Sequence, residues 1–110
     1  MKNFIQPGNV VTLSAPYNLT SGQGALVGAI FGVAASDALQ GTPFEAVRDG
    51  VFVLGAVAAD TLATGDKVYW DDTAKRITKT ATNNVLVGAA AASKSGTEAS
   101  ATVLLDGVIR

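Results

Sequence analysis

The sequence predicts an all-β domain, a small sandwich or barrel built from two pseudo-repeated halves, with at most one short helix. Two observations support this fold class. Short runs rich in β-branched and aromatic residues recur about every 8 to 15 residues, with glycine, proline, asparagine or aspartate between them. Four segments of the first half also recur in the same order in the second half.

The clearest strand pattern lies at residues 65–72, where Val68, Tyr69 and Trp70 are flanked by turn-forming residues. Trp70 is the single tryptophan of the chain, so it can bring more apolar area to a core than any other side chain. Because side chains alternate along a strand, one of the rings of Tyr69 and Trp70 should point inward and the other outward. We therefore expect Trp70 to anchor the core of the second half.

The internal repeat rests on four matches at separations of 55 to 57 residues. They are Gly8 with Gly65, residues 30–35 with 86–91, residues 41–42 with 96–97, and residues 49–51 with 106–108. Each half alone is too small for a stable core, so the halves should share one. This predicts an arm at residues 1–7 and a single β domain at 8–110, with halves at about 8–56 and 65–110.

The remaining elements follow from local patterns. Residues 25–35 form an apolar run with two glycines, which indicates one long or two short buried strands. The alanine-rich residues 56–64 precede Gly65 and fit one or two helical turns. Further strands are expected at residues 10–14, 44–48, 51–54, 76–80, 85–90 and 101–105.

Composition narrows the function classes. Only 15% of residues are charged and 48% are hydrophobic, which favours buried contacts between subunits. The net charge of −1 and the scattered basic residues argue against nucleic-acid binding. Without Cys or His, the chain has no disulfide, no thiolate or imidazole metal site and no nucleophile–His pair. The apolar run at residues 25–35 is too short to span a membrane.

Two clusters resemble functional motifs but have simpler interpretations. Gly22-Gln23-Gly24 resembles a phosphate-binding loop, yet β-type sequence follows it and the next lysine is Lys67. Asp66, Asp71 and Asp72 could bind a hard cation or act as paired carboxylates. Adjacent side chains at a strand end diverge, so turn formation explains these aspartates better.

The other candidates for chemistry are serines and aromatic rings. Ser14, Ser21 and Ser36 have no histidine to act as a base, and none lies in a Gly-x-Ser-x-Gly motif. Trp70 with Tyr69 could stack on a base or a sugar, but the core position explains Trp70 better. We therefore predict no catalytic residue, no cofactor, no metal site and no small-molecule substrate.

The order of several short motifs resembles one known family. These motifs are residues 1–8, 26–34, 50–52, 65–72 and 87–90. Together they resemble the capsid cement or head decoration proteins of tailed phages. The resemblance implies a non-enzymatic virion protein, made in the bacterial cytoplasm, that binds the major capsid protein on the outer surface of the head. It also implies trimers at three-fold and quasi-three-fold positions that stabilise the head against the pressure of packaged DNA.

The N-terminal arm is the expected assembly contact. Phe4 and Ile5 precede Pro7, on a segment too short to build its own hairpin. We expect these three residues to contact a sister subunit or the capsid, although the arm could instead form an edge strand of its own sheet. Two other functions stay open: a head–tail or tail-tube protein, and a small-ligand-binding module at the glycine-rich turn and the aspartates.

Overall fold

The computed structural model describes residues 8–109, which form nine strands and no helix. The strands are β1 Val10–Ser14, β2 Gly24–Val27, β3 Ile30–Ala34, β4 Pro43–Val47, β5 Asp49–Gly55, β6 Lys67–Asp71, β7 Arg76–Thr78, β8 Val85–Ala90 and β9 Ser100–Asp106. The all-β prediction is confirmed. Among these residues no helix has the length and apolarity needed to cross a membrane.

The first sheet contains β1 to β4 in the order β1-β4-β3-β2, and all of its pairs are antiparallel. Its buried side chains are small apart from Leu19 and Phe44. Val11 and Leu13 of β1 also pack against this cluster, while Thr12 between them is exposed. This alternation is what a sheet with one buried face requires.

The second sheet contains β5 to β9 in the order β5-β9-β8-β6-β7, again with antiparallel pairs. It curls so that Ala56, just after β5, forms a bridge with Ile77 of β7. A shift of register between Val68 and Tyr69 adds to the curvature of β6 and β8. The result is a half-barrel whose interior holds Val68, Trp70, Ile77 and Val103 as its largest fully buried side chains.

The helical turns expected at residues 56–64 are absent, so that prediction is wrong. The segment forms turns and two isolated bridges, at Ala56 and Leu62. Gly65 has a φ of 93° and lies in the tight turn that leads into β6. Alanine-rich sequence favours helix, but Ala56 pairs with β7 and Leu62 pairs with Lys94 in the β8–β9 connection, and these pairings override that local preference.

The two sheets repeat one pattern of backbone hydrogen bonds. Leu19 exchanges two bonds with Ala38, as Leu62 does with Lys94. The amide of Gly22 donates to Ala34 in the first sheet, and the amide of Gly65 donates to Ala90 in the second. We call β1–β4 the first unit and β5–β9 the second unit. Strands β1, β2, β3 and β4 correspond to β5, β6, β8 and β9, and β7 is an addition in the second unit.

This correspondence corrects one of the four matches drawn from the sequence. Gly65 is equivalent to Gly22 and not to Gly8, because both glycines have positive φ and make the same backbone bond. The match of Gly32 with Gly88 agrees with the structure. A side chain at Gly32 would approach Ala46 of β4, and one at Gly88 would strike the Leu104 carbonyl of β9. The hydrogen bonds favour a division near residue 48 over the expected halves 8–56 and 65–110.

An aromatic contact joins the two units. The ring centroids of Phe31 in β3 and Trp70 in β6 are 5.0 Å apart, with their planes inclined by 49°. Gly24 makes room for this pair, because a Cβ there would lie 2.9 Å from atoms of both rings. Tilted aromatic pairs of this kind add about 0.5–1.5 kcal/mol beyond the area that they bury.

Arg48 connects the junction of the units to both ends of the described chain. Its Nη1 donates to the Gly8 carbonyl and its Nη2 to the Gly107 carbonyl, each at 2.6 Å. Arg48 is the one residue between β4 and β5, and Gly50, the second residue of β5, has a φ of 116° that glycine adopts readily. The entry to β1, the β4–β5 junction and the exit from β9 therefore lie together at one corner of the molecule.

Candidate functional site

The second sheet exposes apolar side chains on the surface that points away from its core. Val51, Val53 and Leu104 are 59%, 67% and 47% exposed. Val51 is paired directly with Leu104, which is paired in turn with Ala89, and Val53 is paired with Thr102. Directly paired residues of an antiparallel sheet share a face. We call this surface, formed by Val51, Val53, Ala89, Thr102 and Leu104, the outer face.

The first unit provides a comparison for the two exposed pairs of the outer face. The equivalent of Val51–Leu104 is Val10–Val47, which is also apolar, so only the Val53 pair differs. The pair Thr12–Glu45 in the first unit is equivalent to Val53–Thr102 in the second. The Thr12 hydroxyl donates to the Glu45 carboxylate at 2.6 Å, so the first unit has a polar pair at this position. The same backbone thus folds with polar residues here, and folding alone does not require Val53 to be apolar. Exposed apolar surface of this kind is typical of protein–protein contacts.

Carboxylates lie at one end of the outer face. Asp49 of β5 is paired directly with Asp106 of β9, and both residues are exposed. Like charges placed opposite each other destabilise a sheet. Asp106 also borders a shallow depression of about 310 Å³, whose other lining residues include Leu86, Ala89 and Leu104. The outer face therefore combines an apolar centre with a local negative charge at its edge.

The structure separates the three aspartates that could have formed a cation site. Asp66 accepts a hydrogen bond from the Ala63 amide at 2.9 Å. Asp71 accepts from the amides of Thr73 and Ala74, at 3.0 and 3.1 Å. Asp72 accepts from the Trp70 indole N–H at 3.0 Å. Asp66 and Asp71 thus stabilise turns, as the turn interpretation predicts, and Asp72 binds the indole N–H of the core residue Trp70.

Within residues 8–109, the other candidate residues from the sequence do not come together in one site. A polar depression of about 480 Å³ includes Asp71 but neither Asp66 nor Asp72. Gly22 turns the chain into β2, and the Ser21 hydroxyl donates to the Ala35 carbonyl at 3.2 Å. Within residues 8–109 no group of three or more acidic side chains could hold a metal ion.

Trp70 lies in the core, as the sequence predicts. It is buried at 2% exposure, and Tyr69 beside it is half-buried. The expected assembly residues Phe4, Ile5 and Pro7 lie outside the described residues. Their role as contacts stays a prediction.

A polar cluster of Tyr17, Lys75 and Asp72 lies next to the aromatic contact between the two units. The Tyr17 hydroxyl donates to the Gly24 carbonyl at 3.0 Å, and the Lys75 ammonium lies 4.2 Å from the centre of the Tyr17 ring. Lys75 also forms an ion pair with Asp72 at 3.2 Å. Lys75 has a positive φ of 58°, an uncommon conformation for a residue with a side chain. Tyr17 of the first unit is thereby linked to Trp70 of the second through Lys75 and Asp72.

This cluster predicts a loss of stability at alkaline pH. Burial, with a smaller contribution from the Asp72 charge, raises the pKa of Tyr17 to about 12. An unfolded tyrosine has a pKa of about 10. The folded state holds the proton more tightly, so this stabilisation is complete below pH of about 10 and is lost as the pH rises through about 12. Wild type should therefore lose more unfolding free energy across this range than Tyr17→Phe.

Urea denaturation of both proteins at several pH values between 9 and 12 measures this difference. Tyr69 and the lysines are present in both proteins, so the two proteins differ only in the Tyr17 hydroxyl. Equal slopes of unfolding free energy against pH would contradict a raised pKa at Tyr17.

Sequence reasoning missed Val51, Val53 and Leu104 as candidate contact residues. A signal for them exists, because residues 51–54 are apolar without the alternation that an antiparallel strand with one wet face should show. Such a run can also mean a strand buried on both faces. Only the fold shows that β5 has one face open.

These features define a class of protein, a small two-unit β protein with an exposed apolar surface and no catalytic constellation among residues 8–109. The model of the phage cement protein family matches residues 5–106, so the chain belongs to this family. It is therefore a structural protein of the phage capsid. Searches of curated proteins and of solved structures found no match.

Proposed function

We propose that this protein binds the outer surface of a phage head as a homotrimer at three-fold and quasi-three-fold positions. There it holds neighbouring major capsid subunits together against the pressure of the packaged DNA. Membership of the cement family is the observation that carries the proposal. A partner contact also explains why Val51, Val53 and Leu104 remain exposed, since covering them recovers about 25 cal/mol for each Å² of apolar surface.

The proposal assigns the arm at residues 1–7 to assembly and the single β domain at residues 8–110 to the body of the subunit. Phe4 and Ile5 supply apolar contacts, and Pro7, which lacks an N–H, separates them from β1. The protein is made in the host cytoplasm and then joins assembled heads. It needs no catalysis, cofactor, nucleic acid, membrane or small-molecule substrate for this role.

Deleting residues 1–6 should weaken decoration without unfolding the domain. The deletion removes the apolar contacts of Phe4 and Ile5, each of which is worth about 1.5–3 kcal/mol when fully buried. Heads that lack the cement protein are incubated with wild type or the deleted variant, and occupancy is measured by cryo-electron microscopy. The temperature at which the decorated heads release DNA reports the mechanical effect.

A matched variant, Lys2→Gln with Asn3→Ala, keeps the segment length and both apolar side chains. It should bind better than the deletion variant. Full occupancy by the folded, arm-less protein would show that the arm is not a contact. Wild-type protein found on the tail, with none at the three-fold positions of the head, would overturn the proposed function and favour a head–tail or tail-tube role.

A further inference from the structure

We propose that the Tyr17 side chain caps the free edge of the first sheet at β2 and keeps a strand of another copy from pairing there. An exposed sheet edge is a template for pairing with another chain, so proteins cover or charge such edges. Three features support the cap: the direction of the backbone groups of β2, the added strand β7 of the second unit, and the contacts of Tyr17. This role is separate from binding to the capsid.

The backbone of β2 has an edge that faces away from β3, which we call the β2 edge. Strand β2 is the last in the order β1-β4-β3-β2, and its described pairs are all with β3. Val27 and Ile30 flank a two-residue turn, so this pair exchanges backbone hydrogen bonds and the next pair along does not. By this alternation the backbone amides and carbonyls of Gly24 and Leu26 point away from β3.

The second unit shows that a strand can pair at the equivalent edge. Strand β6 corresponds to β2, and it pairs with β8 on one side and with β7 on the other. Among residues 8–109, β7 has no counterpart in the first unit. The β2 edge is therefore the place where the repeated fold accepts one more strand.

Tyr17 occupies the β2 edge in place of a strand. Its hydroxyl donates to the Gly24 carbonyl at 3.0 Å, and the Leu26 amide faces the same oxygen as a donor. A paired strand would bond to the same carbonyl and the same amide. One side chain thus takes two of the groups that an incoming strand would need, on a strand of only four residues.

The second unit holds Tyr17 in this position. The Lys75 ammonium lies 4.2 Å from the centre of the Tyr17 ring, and Lys75 forms its ion pair with Asp72. Asp72 in turn accepts from the Trp70 indole, so the cap is connected to the half-barrel core. A lysine at a sheet edge also opposes pairing, because an incoming strand would have to desolvate its charge. Strand β7 therefore covers β6, and the turn that precedes β7 helps to cover β2.

An uncapped β2 edge would meet the same edge on every other copy. Two antiparallel β2 strands related by a two-fold axis present donors to acceptors in both directions, so the contact is self-complementary. Such pairing would join two first sheets edge to edge, and its extent would rise with protein concentration.

Hydrogen exchange at Leu26 tests the cap, because its amide is protected either by Tyr17 or by a paired strand. At low protein concentration, we expect the Leu26 amide of Tyr17→Ala to exchange about ten times faster than in wild type. At high concentration the amide should regain protection, and sedimentation should give a larger average mass than wild type at the same concentration. Tyr17→Phe keeps the ring without the hydroxyl, and it should show the faster exchange even if Tyr17→Ala does not fold.

Two further variants separate strand pairing from loosened folding. Leu26→Pro added to Tyr17→Ala removes the outward N–H, a change that edge strands tolerate, and should restore the wild-type mass. Val11→Ala removes an apolar contact of the cluster against which Tyr17 packs, without changing β2, and should keep the wild-type mass at every concentration. Association that persists with Leu26→Pro, or that also appears in Val11→Ala, would overturn the proposal.

Two results for the Leu26 amide would also overturn the cap. Slow exchange in Tyr17→Ala at low concentration would mean that the second unit covers the edge without Tyr17. Protection that rises with concentration in wild type would mean that the edge is already a contact between copies. Wild type under the same conditions is the reference for each measurement, so none of them depends on decoration of heads.

Discussion

Trp70→Ala should cost about 3–5 kcal/mol of unfolding free energy and remove most of the soluble protein. Trp70 is 2% exposed and lies in the half-barrel core against Val68, Ile77 and Val103. The substitution also removes its contact with Phe31 at 5.0 Å and leaves Asp72 without the indole N–H. Domains of this size have a total stability of about 5–15 kcal/mol, so the loss is a large share.

Two companion variants make the Trp70 experiment interpretable. Trp70→Phe keeps a ring beside Phe31 and should lose only about 1–2 kcal/mol. Tyr69→Ala, at the half-buried neighbour on the opposite face of β6, should cost less than Trp70→Ala. Urea denaturation followed by circular dichroism measures all three. A Trp70→Ala protein that is folded and within about 1 kcal/mol of wild type would show that Trp70 is not the anchor.

Lys94→Met should destabilise the protein by about 3 kcal/mol although it adds no bulk. Lys94 is 3% exposed, and its ammonium donates to the carbonyls of Ala58, Asp60 and Ser95. Methionine retains most of the apolar stem but leaves the carbonyl oxygens of Ala58 and Asp60 without the lysine donor. The Ser95 carbonyl still accepts from the Glu98 amide at 3.4 Å. A buried polar group left without a partner costs about 1–3 kcal/mol, and partial access of water reduces the sum.

Lys79→Met is the matched control for Lys94. Its side chain is 56% exposed and its ion pair with Asp66 is 3.7 Å long, so the change should stay within about 0.5 kcal/mol. The unfolding free energies of both variants come from urea titration at neutral pH. If Lys94→Met were as stable as wild type, water would have to satisfy the carbonyls of Ala58 and Asp60 in place of the ammonium, and the predicted penalty would be wrong.

A longer connection in the second unit accounts for the buried position of Lys94. The interval from Ala15 to Leu19 is two residues shorter than the equivalent interval from Ala56 to Leu62. The longer connection turns carbonyls inward, and Lys94 supplies the donors that they need. Its equivalent in the first unit is Ala38, which has no side-chain donor.

Sequence reasoning predicted the strands well where apolar alternation and turn residues coincide, as around Trp70. It predicted Gly32 and Gly88 as equivalents because close approach of strands excludes every other residue type at such positions. It failed at Gly65, because an equally spaced Gly8 offered a match that only hydrogen bonding could reject. It also failed at residues 56–64, where pairing with distant strands decides the conformation and no local pattern records it.

The apolar outer face lay beyond sequence reasoning for a related reason. Val51 and Val53 read as core residues in any strand, and their exposure depends on the absence of a second layer over β5 and β9. Lys94 illustrates the opposite case. A lysine is read as a surface residue, and its burial depends on carbonyls that come from a segment more than thirty residues away.

No ladder of backbone hydrogen bonds pairs a strand of the first sheet with a strand of the second in residues 8–109. A tensile load that pulls the two sheets apart is therefore borne by the covalent link at residue 48, the Arg48 bonds and side-chain contacts. These contacts are the Tyr17–Lys75 pair, the aromatic contact and the packing of Val33 in the second unit's core. Each sheet by itself resists stretching through its own ladders, so the joint is the compliant element and the sheets are the stiff ones. A subunit anchored through both sheets would act as a short elastic clip, giving slightly under an expanding shell before any strand separates.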